Sequence, residues 1–105
     1  MRNNSLGRAR LAGVVALGTL LLASCASAPV QEMSNARQAI RAAQDAGAAN
    51  KAPATLTEAQ GALNRAEGLL HKKFYRAARH SAEEAHTKAL AALEQTRGTQ
   101  REEKK

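Results

Sequence analysis

Between Tyr75 and Leu93 small side chains return every three or four residues, at Ala78, Ala82, Ala85, Ala89 and Ala92, with Leu93 beside the last. That interval holds a set of positions on one face of an α-helix, which turns once in about 3.6 residues, and does not match the two-residue alternation of a strand. Nothing from Leu69 to Arg97 is a glycine or proline that would interrupt it. The stripe consists almost entirely of methyl groups. Such a face lets a neighbouring helix come close but buries little area by itself, so larger side chains must come from elsewhere.

Two segments upstream carry matching stripes. Leu56, Ala59, Leu63, Ala66 and Leu70 form one, with Glu58, Arg65 and Gly68 on the far side, and Met33, Ala36, Ile40 and Ala43 form the other. Pro29 suits the first turn of the earliest helix, where its missing N–H would be unpaired anyway, and Gly47 suits a left-handed C-cap. Residues Asn50 to Ala54 then read as a connection. The next helix starts at Pro53, or at Thr55 if Thr55-Leu56-Thr57-Glu58 closes a capping box. The second and third stripes differ in phase by about a quarter turn or less, which fits either a turn at His71-Lys72-Lys73 or one long curved helix. Glu84 and Lys88 are spaced for an i, i+4 pair. Residues 97–105 hold no apolar side chain and are expected to be a disordered basic tail. The segment expected to fold is 29–96, an all-α domain of three alanine-rich amphipathic helices.

Ahead of it, Arg2, Arg8 and Arg10 precede an apolar run from Leu11 to Leu22. This is the layout of a signal peptide, and the run is too short for the roughly twenty residues of a membrane-spanning helix. It ends in Leu22-Ala23-Ser24-Cys25, with the only cysteine of the chain. An aliphatic residue, two small residues and cysteine resemble the lipobox of bacterial lipoprotein precursors. The resemblance implies cleavage by signal peptidase II after Ser24, so that 1–24 is removed, Cys25 carries the lipid, and 25–28 is a lipidated tether. The competing reading is an ordinary secretory signal cut after Ala26 or Ala28, which would discard Cys25. By the same resemblance, Ala26 rather than aspartate after the cysteine implies the outer membrane, with the body of the protein in the periplasm.

Three of the sixteen Lys and Arg residues fall in the leader, leaving thirteen against nine acids and a net charge of +4 after Cys25 becomes the first residue. Export removes the nucleic acid that a high pI would otherwise suggest. Large apolar side chains after Cys25 are few, and with the cysteine acylated no disulfide can form. A core this thin needs intrinsic helicity, self-association or a partner.

The full pattern is a lipobox, a first alanine-rich helix ending in Ala-Gly, Ala52-Pro53-Ala54 opening a second, Leu-x-x-Ala-x-x-x-Leu-x-x-Ala, and Tyr75 followed by Ala-x-x-x-Ala. It resembles bacterial lipoproteins carrying the uncharacterised domain known as domain of unknown function 4398. The resemblance covers Cys25 to about Thr96 and implies that the last two helices form an antiparallel hairpin, with Tyr75 opening the second after a turn that usually carries glycine and an acid. Here that turn is Lys72-Lys73-Phe74. Residues Leu63 to Leu93 also resemble a single tetratricopeptide hairpin, of which about three copies are needed to stand alone. The family implies architecture and compartment and no chemistry.

Catalytic candidates are weak. His71, His80 and His86 are separated by nine and six residues, which turns them onto different sides of a helix, so no metal is expected. Glu83-Glu84 and Glu102-Glu103 diverge as neighbours do on a helix. No nucleophile motif or phosphate-binding loop is present, and neither an enzyme, a cofactor nor a small-molecule substrate is expected. Lys72, Lys73, Arg76 and Arg79 cluster at the inferred turn, with His71 and Tyr75 as groups able to stack; they suit an anionic polymer or phospholipid, or simply a soluble helix end. Tyr75, Ala78, Ala82, Ala85 and Ala89 are the candidate interaction face for another envelope protein or a second copy. Lys105 is the candidate for attachment to peptidoglycan, by resemblance to the major murein lipoprotein. The expected role is a lipid-anchored interaction or scaffold module, or alternatively a structural tether.

Overall fold

The computed structural model describes residues 27–105, so Leu22 to Cys25 and the leader lie outside the described residues. Helices run in the order α1 Val30–Ala46, α2 Ala48–Lys51, α3 Pro53–His71 and α4 Tyr75–Glu103, with no strand among the described residues. The fold is all-α, and the α3–α4 pair is an antiparallel hairpin rather than one long helix. Arg65 lies 3.1 Å from Glu84, Glu58 lies 2.8 Å from Lys88, and Thr55 donates to Gln95 at 2.9 Å. Partners descend along α3 as they ascend along α4. Glu84 and Lys88 thus take partners across the hairpin instead of each other. The hydrogen bond and charge of Glu58 raise the Lys88 pKa above its ordinary value, with Glu84 a smaller contributor.

The third long helix, α1, lies parallel to α4. Met33 packs with Ala66 and Ala82, Ala36 with Ala62 and Ala85, and Ala39, Ile40 and Ala43 with Ala59, Ala89 and Ala92. Each layer draws one or more residues from α1, α3 and α4. The buried positions of α4 are Ala78, Ala82, Ala85, Ala89, Ala92 and Thr96, alternating steps of four and three as a left-handed helix seam requires. Leu63 on α3 is only partly buried, yet it packs against all three clusters. It supplies the bulk that the alanines lack. In a tetratricopeptide array a neighbouring repeat covers each hairpin; here α1 covers it.

At the corner between α1 and α3 the chain is tighter than a loop. Gly47 adopts φ 100°, and its N–H meets the Ala43 and Gln44 carbonyls, a left-handed cap that a side chain would strain. One helical turn, α2, then leads straight into Pro53, which is the start of α3. The Thr55 capping box does not form, because Ala52 occupies the N-cap and the Thr55 hydroxyl is committed to Gln95.

Residues 97–103 are helical where a disordered tail is expected from the sequence. The cause is polar and long-range. Gln100 donates to the Ala46 carbonyl at 3.0 Å, satisfying an acceptor at the C-terminal end of α1, and Lys51 pairs with Glu103. Thr96 is fully buried and returns its hydroxyl to the Ala92 carbonyl at 2.8 Å, so the seam extends one residue set beyond Leu93.

Candidate functional site

The α3–α4 turn is built by a Schellman motif. The Lys73 N–H meets the Leu70 carbonyl at 2.9 Å and the Phe74 N–H reaches back to the Leu69 carbonyl at 2.9 Å, the five-to-two and six-to-one bonds that satisfy a helix C-terminus. The motif needs a left-handed residue, and Lys73 takes it at φ 64°, where an L side chain costs about 1–2 kcal/mol and glycine is usual. The turn is therefore tight although it lacks glycine.

From Gly68 to Ala82 the chain holds four Lys and Arg residues and no acid. Arg79 is engaged: it donates to Glu32 at 3.0 Å and to the Ser27 carbonyl at 3.3 Å. Lys72, Lys73 and Arg76 are exposed, and none of them forms an ion pair among the described residues. The first turn of α4 has no acidic residue and no side-chain cap, while Lys72 and Lys73 lie at the negative, C-terminal end of α3, which favours cations.

Phe74, in their midst, is 58% exposed. The sequence points to His71 and Tyr75 as the stacking groups, but Tyr75 begins α4 and is half-buried, whereas Phe74 stands outside the helix and projects into solvent. Two adjacent aromatics at a helix start are the signal that finds it, since one inward residue forces its neighbour outward. A shallow apolar hollow of about 520 Å³ opens beside it, lined by Phe74, Tyr75, Arg76, Ala77 and His80.

Other candidates are placed differently. Ala78, Ala82, Ala85 and Ala89 are fully buried, the last three packed between α1 and α3. As an interaction face for an outside partner they are corrected by the packing, because the methyl stripe is already covered within the chain; Tyr75 alone keeps some exposure. His71 and His80 are exposed and His86 half-buried, and no group of three potential metal ligands occurs among the described residues. Lys105 is exposed beyond the last turn of α4. No helix of the described residues is long and apolar enough to cross a membrane.

The sequence profile of one family, described as Domain of unknown function (DUF4398), matches residues 31–105. The chain belongs to that family. The match begins at the second residue of α1 and runs through the C-terminal turns of α4, so the tail that packs against α2 is part of the DUF4398 domain. No curated protein and no solved structure matches this chain.

Proposed function

We propose that this DUF4398 chain is a lipoprotein of the bacterial envelope, held on the outer membrane by acyl chains on Cys25 and acting in the periplasm as a non-catalytic helical interaction or scaffold module. The observation that carries the reading is Leu22-Ala23-Ser24-Cys25 at the end of a basic and then apolar leader. Two or three acyl chains hold firmly where one would not, at about 0.8 kcal/mol per buried methylene. Because the alanine stripe is occupied inside the bundle, contact with an envelope protein or a second copy falls to outward-facing side chains. Labelled palmitate should enter the wild-type protein and not Cys25→Ser; equal labelling of both would reject the anchor. Crosslinking in cells then identifies what the outward face touches.

A second reading, the structural tether to peptidoglycan, draws support from one feature. Lys105 is exposed at the end of α4 opposite the one that receives Ser27, and a helix of this length spans about 44 Å. Muropeptide analysis tests it, since cell-wall digestion should release the chain joined through Lys105.

A further inference from the structure

Close behind Cys25 along the chain, Ser27 and Pro29 are tied down. Ser27 offers its carbonyl to Arg79 at 3.3 Å, and Pro29 is fully buried at the start of α1. Cys25 is two residues from Ser27, and two residues reach at most about 7 Å. Arg79 is also paired with Glu32 in the first turn of α1, so the start of α1, the start of α4 and the α3–α4 turn form one end of the bundle. An acylated Cys25 brings that end, and no other, to the headgroups.

What this end presents matches such a place. Of the three large apolar side chains that stand exposed among the described residues, Val30 at 73% and Phe74 at 58% both lie here, and the third, Leu90, lies well along α4. Around Phe74 are the unpaired Lys72, Lys73 and Arg76, with no acid nearer in sequence than Glu67 and Glu83. An aromatic side chain among cations suits the interface of an anionic bilayer, where the ring enters the headgroup level and each cation gains about 1 kcal/mol of attraction.

We infer that the α3–α4 turn is a second membrane contact: Phe74 inserts among the headgroups of an anionic phospholipid surface while Lys72, Lys73 and Arg76 bind the phosphates, fixing the bundle upright on its lipid anchor. The inference rests on the anchored reading above and adds an orientation to it. A lipid anchor alone leaves a domain free to tumble on a tether; a second contact at the same end removes that freedom and points the far end of α4 away from the bilayer.

The chain contains no tryptophan, so Phe74→Trp places a single reporter at the turn. The variant is purified from membranes, its acylation read by mass spectrometry, and reconstituted into vesicles of phosphatidylcholine with or without phosphatidylglycerol. Expected is a blue-shifted emission quenched by brominated acyl chains on the anionic vesicles. The quenching should fall with added salt and weaken roughly fivefold for each of Lys72→Gln, Lys73→Gln and Arg76→Gln. An acylated Phe74→Trp chain whose indole emits as in water on anionic vesicles overturns the second contact and leaves Phe74 to a protein partner. An unacylated chain that is still quenched keeps the contact and sinks the anchor, so the two failures are distinct. Unchanged helicity by circular dichroism excludes unfolding as the cause of any loss.

Discussion

The two ends of the bundle each close a helix with a left-handed residue, but differ in which residue takes that position and in what surrounds it. At the far end, α1 finishes at a glycine, and its exposed carbonyl at Ala46 is met by Gln100, while Lys51 and Glu103 pair across the corner. Opposite charges are interleaved there, and the Lys51–Glu103 pair ties the tail to the corner. At the turn end a lysine occupies a left-handed position that suits glycine, Lys72, Lys73 and Arg76 stand without an ion pair among the described residues, and a phenylalanine is left in solvent. Glycine at the left-handed position and partners for the cations, both present at the far end for Gly47 and Lys51, are missing at the turn. Sequences depart from such rules chiefly where something other than stability is served, and the turn end is the one that Ser27, two residues from Cys25, is bonded to.

Both ends depend on the same alanine layers, so the largest effect should come from Ala85→Glu. A carboxylate placed among Ala36, Ala62 and Leu63 has no partner and no room, and the expected cost is about 4 kcal/mol or more, comparable with the whole stability of a small domain. Thermal unfolding followed by circular dichroism should show loss of the cooperative transition, and hydrogen exchange should show both ends losing protection together. Were only one end to open, the shared stem would be wrong.

Smaller changes should separate the ends. Lys73→Gly relieves the left-handed backbone at the turn and should raise stability by about 0.5–1 kcal/mol, less than the full strain because glycine also gains freedom in the unfolded chain. It also removes one of the three unpaired cations. Stability and binding to anionic vesicles are therefore expected to move in opposite directions, a split that calorimetry and vesicle titration read separately. At the other end a methyl group added at Gly98 meets nothing within 4 Å, and Gly98→Ala should stabilise by up to about 1 kcal/mol. The gain should appear as slower exchange of amides 97–103, with vesicle binding untouched; no change in those amides would mean that the tail does not hold its helix.

The smallest effect belongs to the middle of the hairpin. The Glu58 hydrogen bond and charge raise the Lys88 pKa, so its contribution is present in full below the ordinary lysine value near 10.5 and is lost as pH rises through the raised value. Comparing wild type with Lys88→Gln between about pH 9 and 12 should show the wild type losing a small increment that the variant lacks, with neither end distinguished.

The parts of this fold that follow from local spacing are readable in the chain. Met33, Ala36, Ile40 and Ala43 on α1 and the alanines of α4 are buried as their period predicts. Phase alone leaves the hairpin open, because stripes offset by a quarter turn or less also suit a curved helix; the deciding contacts, Arg65 with Glu84 and Glu58 with Lys88, join residues 19 and 30 positions apart. The helical tail is illegible for a related reason: Gln100 and Glu103 hold it through partners some fifty residues away rather than through apolar burial. The basic cluster at the candidate site is visible in the sequence, but Phe74 reads there only as a turn residue. That Arg79 draws Ser27 to the same end is a consequence of three-dimensional packing that no local pattern carries.

The most direct test is the orientation on a bilayer of the chain acylated at Cys25, as proposed. Nitroxide labels attached at His71→Cys and at Glu102→Cys, one at each end, can be compared on anionic vesicles by collision with membrane-soluble oxygen and a water-soluble nickel chelate. The label at 71 should favour oxygen and resist the chelate, and the label at 102 should do the reverse. Equal access of the chelate to both positions, or a label at 102 nearer the lipid, would contradict a bundle standing on its α3–α4 turn.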